Sequence, residues 1–502
     1  MNLRKRFLTG IVTGVGSVGI KTALNILLIP VFMKTLGLTY YSLYVLLLGI
    51  LDFSQILDMG LASALVKTLA TEQAQASALL KMSHIFYVTV SLTALVAGWL
   101  AIPFLLKLFH ISPQLSGVTH LALIILFLEG ALTLYTCYFR AVLWAHCLHQ
   151  WTNLSETLFN TTSILVGLLL LLTGHGLIAM LATRLVAAVL RSMVLISQAL
   201  KVEPAVLFPK ALFHLKTFQD LMGLTWNALL IKLSIQISHK IDTFVIAAFL
   251  PLPMVGVYEI IFRFLSLVSQ LADKIAEVIL PLYGHLLATE KSGKVQRFFI
   301  RISSFLNVFA CLLLLNIVWF FPKLLVIFTD GKITFAQTAT VLCIAVPFIW
   351  SGVMQYPAAF FLFSSGKERF LAISSIVTAF ANLFLSLVLV QSLGIAGVAL
   401  GTLIPQFFQH QFSLVKQALQ DLNLSLGKYL LQVHGQGILP LIVAVGVLIC
   451  LLPLNHLPIP PFLIILLAGL LSIGAGGTVW LFFNTTRHER QAVFSGHWND
   501  LQ

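Results

Sequence analysis

Charged side chains set inside long apolar runs are where this chain can do chemistry. Lys21, Arg184, Arg191, Lys232, Lys240, Arg263 and Lys274 are basic, and Asp52, Asp58, Glu129, Asp242, Glu259, Asp273 and Glu277 are acidic. A charge near the centre of a bilayer costs about 2.5–3.5 kcal/mol even on the gentlest scale, so each must face protein or water. Lys232, Gln236 and Lys240 follow one another at i, i+4 and i+8, which places them on one helical stripe that cannot face lipid. One reading is a cationic wall of Lys21, Arg184, Lys232, Lys240 and Arg263 suited to a phosphate or pyrophosphate, since fixed cations gain Coulomb energy where the dielectric is low. The other is assembly alone, with Lys21 paired to Asp52 in the adjacent span.

Asp52, Asp58 and Asp242 are candidates for coupling to a proton or metal cation, or for pairing with the lysines. Glu259 and Arg263, one turn apart, read as a structural ion pair. Asn25, Asn160, Gln236 and Asn382 offer a polar face that suits sugar hydroxyls or holds helices together.

These residues need membrane helices to position them. Of 502 residues, 59% are hydrophobic and 9% charged, against roughly 25% charged in a soluble domain. Apolar runs recur along the chain at about 20 residues, the length that crosses a ~30 Å hydrocarbon core as helix. The spans read as 7–32, 40–65, 85–106, 118–139, 151–172, 177–200, 221–250, 255–282, 302–321, 338–363, 370–390, 395–415, 438–452 and 462–483, about fourteen helices and no strands. Pro30, Pro347, Pro357 and Pro405 mark expected kinks.

The net charge of +13 does not indicate nucleic acid, because the basic residues are scattered through short gaps between apolar runs. Lys201, Lys210, Lys216, Lys291, Lys294, Arg297, Lys367, Arg369 and Arg487 fall on one side, and Lys34, Lys107, Lys323 and Lys332 on the other. That asymmetry puts both termini in the cytoplasm.

Several motifs mislead. Gly14-Val-Gly16-Ser-Val-Gly19 is a literal dinucleotide fingerprint inside a membrane segment, where close helix packing explains it better. His146 and His149 sit at helical spacing without a carboxylate or thiolate cluster to complete a metal site, and Cys137, Cys147, Cys311, Cys343 and Cys450 read as packing residues without disulfides. No metal or organic cofactor is expected. The longest loops opposite the basic side, Phe109–Gly117 and Pro322–Gln337, concentrate no acids, histidines and arginines, so an enzyme is not expected either.

A faint repeat organises the chain. Ile20-Lys21 answers Ile231-Lys232, the Leu-Ala-Thr-Glu ending at Glu72 answers that ending at Glu290, and Gly174-His-Gly176 answers Gly394-Ile-Ala-Gly397. The division expected is an N-lobe (1–200, spans 1–6), a cytoplasmic linker (201–218), a C-lobe (219–418, spans 7–12), two extra helices (436–484) and a cytoplasmic tail (485–502). Two six-helix lobes of equal orientation would face each other across a central cavity.

The run Leu36-Gly37-Leu-Thr-Tyr-Tyr41-Ser-Leu-Tyr44 through Asp52-Phe-Ser-Gln-Ile-Leu-Asp58-Met-Gly60 to Lys67 resembles the second-span signature of O-antigen flippases of the Wzx type. These form the polysaccharide transporter group of the multidrug/oligosaccharidyl-lipid/polysaccharide exporter superfamily. Ile241-Asp242-Thr-Phe-Val-Ile, Val255-Gly256-Val-Tyr258 and Leu280-Pro281-Leu-Tyr283 are similar to the start of that family's second lobe. Ser42 and Tyr44 stand where the family often shows Gly and Trp.

The resemblance implies an oligosaccharide on undecaprenyl pyrophosphate, passed from the cytoplasmic to the periplasmic leaflet of a bacterial inner membrane by alternating access. It implies contact with membrane lipid and with polymerases or other polysaccharide-assembly proteins, and a proton or sodium gradient as drive. A lipid II flippase, a multidrug antiporter of the same superfamily and a membrane polymerase or ligase are the rival readings.

Overall fold

The computed structural model describes residues 24–71, 76–207, 229, 233, 234, 236, 240–289, 292–453 and 460–484, and these are helical apart from short turns and loops. Leu24–Thr35 (α1) and Gly37–Ser54 (α2) are followed by a single 3-10 turn, Gln55–Asp58, and by Leu61–Thr71 (α3). Next come Ala76–Leu108 (α4), Pro113–Ala145 (α5), His149–Leu172 (α6) and Gly176–Val202 (α7). Residues 240–249 (α8) lead to Pro253–Thr289 (α9), Ser292–Thr329 (α10), Phe335–Met354 (α11), Tyr356–Ser364 (α12) and Glu368–Phe407 (α13). A π-helical stretch, Phe408–Val415, precedes Lys416–Asp421 (α14), Leu426–Val433 (α15), Ile438–Cys450 (α16) and Pro461–Asn484 (α17).

Among the described residues, 11 helices are long and apolar enough to cross a membrane. One of them, Glu368–Asp421, is 54 residues long and covers two expected spans. The chain turns inside it at Gly394 (φ 58°, ψ −137°), a backbone conformation that only glycine adopts at low cost. Beyond it the chain doubles back: a Cβ at Gly397 would lie 2.2 Å from the Leu389 carbonyl oxygen, and one at Gly401 2.5 Å from Ser386 N. The glycines let the two arms touch. Most of expected span 1 and half of expected span 7 lie outside the described residues.

Two further expectations are corrected. The second span is not one helix over 40–65: it breaks after Ser54, and Met59 (φ 50°) and Gly60 (φ 78°) turn the chain left-handed before α3 begins. The ninth span does not end at Phe321, because α10 continues through Pro322 to Thr329 and shrinks the following loop to a few residues. In lipid, losing one backbone N–H is cheaper than exposing a whole turn.

The chain divides into two compact units. The first draws on Met1–Ile260, Phe328–Lys332 and Ser375–Gly401, the second on Ile261–Ile327, Ile333–Ser374 and Thr402–Gln502, so α9, α10 and α13 contribute to both. The first unit has its core where Leu65, Leu80, Tyr87, Tyr138, Phe139, Val142 and Leu195 pack from α3, α4, α5 and α7. Its outer face is apolar and exposed, as at Leu92, Val96, Trp99 and Phe104 of α4, the surface that lipid covers. In the second unit Val308, Leu312, Ala444 and Trp480 form one cluster, and Phe320, Leu448 and Ala468 another. Of the cysteines, Cys137 is buried, whereas Cys147, Cys343 and Cys450 are exposed and do not pack as expected.

Candidate functional site

Three neighbouring helices of the first unit each carry a polar stripe at helical spacing. On α5 it is Glu129, Thr133, Thr136 and Arg140; on α6 it is Thr152, Glu156, Asn160 and Ser163; on α7 it is Arg184 and Arg191, with the small Ala188 between them. The stripes face one another. They enclose a cavity of about 160 Å³ that also takes in Asn25 of α1 and Asp52 of α2, and an adjoining cavity of about 110 Å³ that reaches Arg140. Thr133, Glu156 and Arg191 line both, so the two form one polar strip within the spanning helices.

The charges along the strip are not all paired. Arg184 donates from Nη2 to Glu129 Oε1 at 2.8 Å and from Nε to Oε2 at 3.3 Å, a two-pronged arrangement that uses the planar guanidinium fully. Arg191, seven residues further along the same face, donates instead to the Thr133 hydroxyl at 3.1 Å. Arg140 donates to Cys137 Sγ at 3.2 Å and lies over the Trp144 ring at 5.4 Å. Neither Arg140 nor Arg191 has a carboxylate within ion-pairing distance among the described residues, although Glu156 shares their cavity. Two guanidiniums thus keep donors available inside the membrane-spanning region, the condition for holding an anion.

Of the cations that the sequence assigned to a wall, Arg184 lines the larger cavity. Lys21 and Lys232 lie outside the described residues. Lys240 reaches Asp52 Oδ2 at 2.8 Å, and Gln236, one turn before it, donates to the Asp52 backbone carbonyl at 3.0 Å. Gln236 and Lys240 therefore both hold α2 at Asp52, and Asp52 pairs with Lys240 there. Arg263 is partly buried on α9 and lines neither cavity.

Asp58 sits apart from the strip. It is buried at the end of the 3-10 turn, where it accepts the hydroxyl proton of buried Tyr87. Asp242 likewise accepts from Tyr258 at 2.5 Å. Asn25 and Asn160 line the larger cavity, whereas Asn382 is fully buried and accepts from Ser386 at 3.1 Å. Ser42, one of the positions that departs from the resembled pattern, accepts from the Gly256 N–H at 3.0 Å and is fully buried. A Cβ on Gly256 would sit 2.5 Å from that hydroxyl.

Arg140 was missed because its span was drawn to end at Phe139. The signal was present: Glu129, Thr133, Thr136 and Arg140 repeat at four, three and four residues, so the polar face does not stop where the apolar run thins.

Comparison with known proteins adds the following. A family model described as polysaccharide biosynthesis protein matches residues 36–330, more than half of the chain. No curated protein matches the sequence. Among solved structures, the lipid II flippase MurJ in an inward closed conformation superposes with a TM-score of 0.73 at 16% identity, over 94% of this chain and 99% of that one. An inward-facing multidrug resistance MATE family transporter of the MOP superfamily gives 0.68 at 14% identity, over 80% and 95%. A MOP superfamily transporter from Pyrococcus furiosus, described by the reverse polarity of its binding pocket, gives 0.60 at 14% identity, over 85% and 98%. At these identities the likeness establishes the fold.

Proposed function

We propose, from the premise that the chain belongs to the polysaccharide biosynthesis protein family, that it is a flippase for oligosaccharide units carried on undecaprenyl pyrophosphate. The observation that carries this reading is the pair Arg140 and Arg191, which among the described residues have no carboxylate within ion-pairing distance, in a polar strip within the spanning helices. A charge-assisted hydrogen bond contributes about 1.5–3 kcal/mol, so two guanidiniums can offset much of the cost of taking a pyrophosphate out of water. Asn25, Asn160, Thr133 and Ser163 supply hydroxyl and amide groups along the same strip for the first sugar. The apolar tail of such a substrate stays in hydrocarbon, beside the helices of 436–484.

Transport follows from alternating access between the lobes 1–200 and 219–418, joined by 201–218. Lys21 and Lys232 near the starts of the two lobes, with Lys240 and Arg263, extend the cationic path, and Asp52, Asp58 and Asp242 couple it to a proton or sodium gradient. The setting is the bacterial inner membrane with both termini cytoplasmic, and the protein moves its substrate without chemical conversion. The units serve O-antigen, capsule or exopolysaccharide synthesis, with polymerases and other assembly proteins downstream.

Deleting the gene and identifying the lipid-linked intermediate that accumulates on the cytoplasmic face tests this directly. An undecaprenyl-pyrophosphate oligosaccharide is expected. Accumulation of lipid II would assign the chain to peptidoglycan precursor export, and no accumulated lipid-linked sugar would end the flippase reading.

A further inference from the structure

The second unit contains a separate cavity of about 240 Å³, several times the ~30 Å³ share of a water molecule. Three cations line it: Arg297 and Arg301, one turn apart near the start of α10, and Lys428 on α15. Among the described residues no carboxylate lines it. We infer that this cavity binds the headgroup phosphate of a lipid with net negative charge, a site distinct from the arginine strip of the first unit.

The surroundings favour a lipid over a free anion. Helix α15 has three faces: Tyr429 and Val433 are buried, Lys428 and Gln432 turn to the cavity, and Leu426, Leu430 and Leu431 are exposed at 59%, 45% and 73%. Bare leucines beside a cationic pocket are the pattern of a helix lying at the lipid surface, where acyl chains cover the one and headgroups fill the other. Trp480 of α17 lines the cavity too, with its indole N–H donating to Ser304 Oγ at 3.2 Å, and tryptophan is enriched at headgroup depth.

The pocket is braced before any ligand arrives. Gln296 donates to the Leu422 carbonyl at 2.5 Å and Ser304 donates to Gln436 Oε1 at 3.1 Å, which ties α10 to the segment around α15. Below them Asn307 donates to the Val433 carbonyl at 3.1 Å and accepts from the Trp350 indole at 3.0 Å. One group is unsatisfied: the side-chain oxygen of Gln432 is buried without a hydrogen-bond partner among the described residues. Exchanging the ends of that amide presents an N–H donor, which a phosphate oxygen would satisfy.

Phosphate on a lipid can come from the bulk bilayer or from the polyprenyl carrier of a substrate, and one experiment separates them. The full-length protein is placed in phosphatidylcholine nanodiscs with either phosphatidylglycerol or polyprenyl monophosphate, and retained lipid is counted by native mass spectrometry. Retention of an anionic lipid over phosphatidylcholine is expected, falling about fivefold for each of Arg297→Gln, Arg301→Gln and Lys428→Gln, the factor equivalent to ~1 kcal/mol per basic residue at a membrane surface. Phosphatidylglycerol retained in this way assigns the site to bulk lipid; polyprenyl phosphate alone assigns it to the carrier. Arg191→Gln, in the other unit, should leave phosphatidylglycerol retention unchanged even if it stops transport. Equal retention of phosphatidylcholine, retention indifferent to all three substitutions, or loss of phosphatidylglycerol on Arg191→Gln would each overturn the assignment.

Discussion

Arg184 and Glu129 are joined at two points across α7 and α5, Nη2 to Oε1 at 2.8 Å and Nε to Oε2 at 3.3 Å. Their side chains keep 24% and 9% of their exposure, so little water screens the pair. Arg191 on the same face contrasts with it: one guanidinium holds a carboxylate of the neighbouring helix and the other holds the Thr133 hydroxyl.

Removing one partner of the Arg184–Glu129 pair should therefore be worse than removing both. Arg184→Met or Glu129→Leu alone leaves an uncompensated charge and should lower unfolding free energy in detergent by about 3 kcal/mol or more. The double variant should recover at least half of that loss. A double variant that loses as much as the two single variants added together would mean that the two charges do not stabilise each other.

Lys240 and Asp52 make a looser pair, with 37% and 43% of their side-chain surface exposed. After allowance for solvent screening, Lys240→Gln and Asp52→Asn should each cost under about 1 kcal/mol of stability. Asp52→Asn should nonetheless slow ion-driven transport by about tenfold, equivalent to ~1.4 kcal/mol. Unchanged transport by a stable Asp52→Asn protein would remove Asp52 from ion coupling.

Gly256 approaches α2 closely enough that a methyl group would lie 2.5 Å from Ser42 Oγ and 2.7 Å from Leu38 Cδ1. Gly256→Ala should cost about 1–3 kcal/mol in unfolding measurements through overpacking. Adding Ser42→Gly removes the nearer atom and should restore part of the loss. If it restores none, the close approach does not limit the packing.

The break after Ser54 fixes Asp58 against Tyr87. Tyr87→Phe should cost about 1.5–3 kcal/mol, the range for a hydrogen bond to a charged group. Asp58→Asn keeps an acceptor for the tyrosine and should cost less. Thermal melts that rank the two the other way would contradict the assigned bond.

Span number and approximate limits were legible because lipid exposure demands an apolar run of about 20 residues whatever the tertiary packing. What the sequence could not display was how polar residues on different helices meet. Asp52 was matched with Lys21 by adjacency of spans, whereas its partner among the described residues is Lys240, nearly two hundred residues away in the chain. The break in the second span was hidden because Ser54, Gln55 and Asp58 interrupt an apolar pattern without a proline, and Gly60 alone is tolerated in a membrane helix. Pro322 misled in the opposite sense: it suggests an end, yet α10 runs through it. Arg184 and Arg191 share a face by spacing alone, but only the position of Glu129 decides which of them is neutralised.

The arginine strip is tested most directly by flipping in proteoliposomes, scored as access of an undecaprenyl-pyrophosphate oligosaccharide to a membrane-impermeant reagent. Arg191→Gln and Arg140→Gln should each slow flipping by at least about tenfold, equivalent to the loss of ~1.5 kcal/mol of charge-assisted binding. Arg191→Lys, which keeps the charge but not the planar fork, should fall between them and the unaltered protein. Wild-type rates from a folded Arg140→Gln/Arg191→Gln double variant would contradict the role given to this cavity.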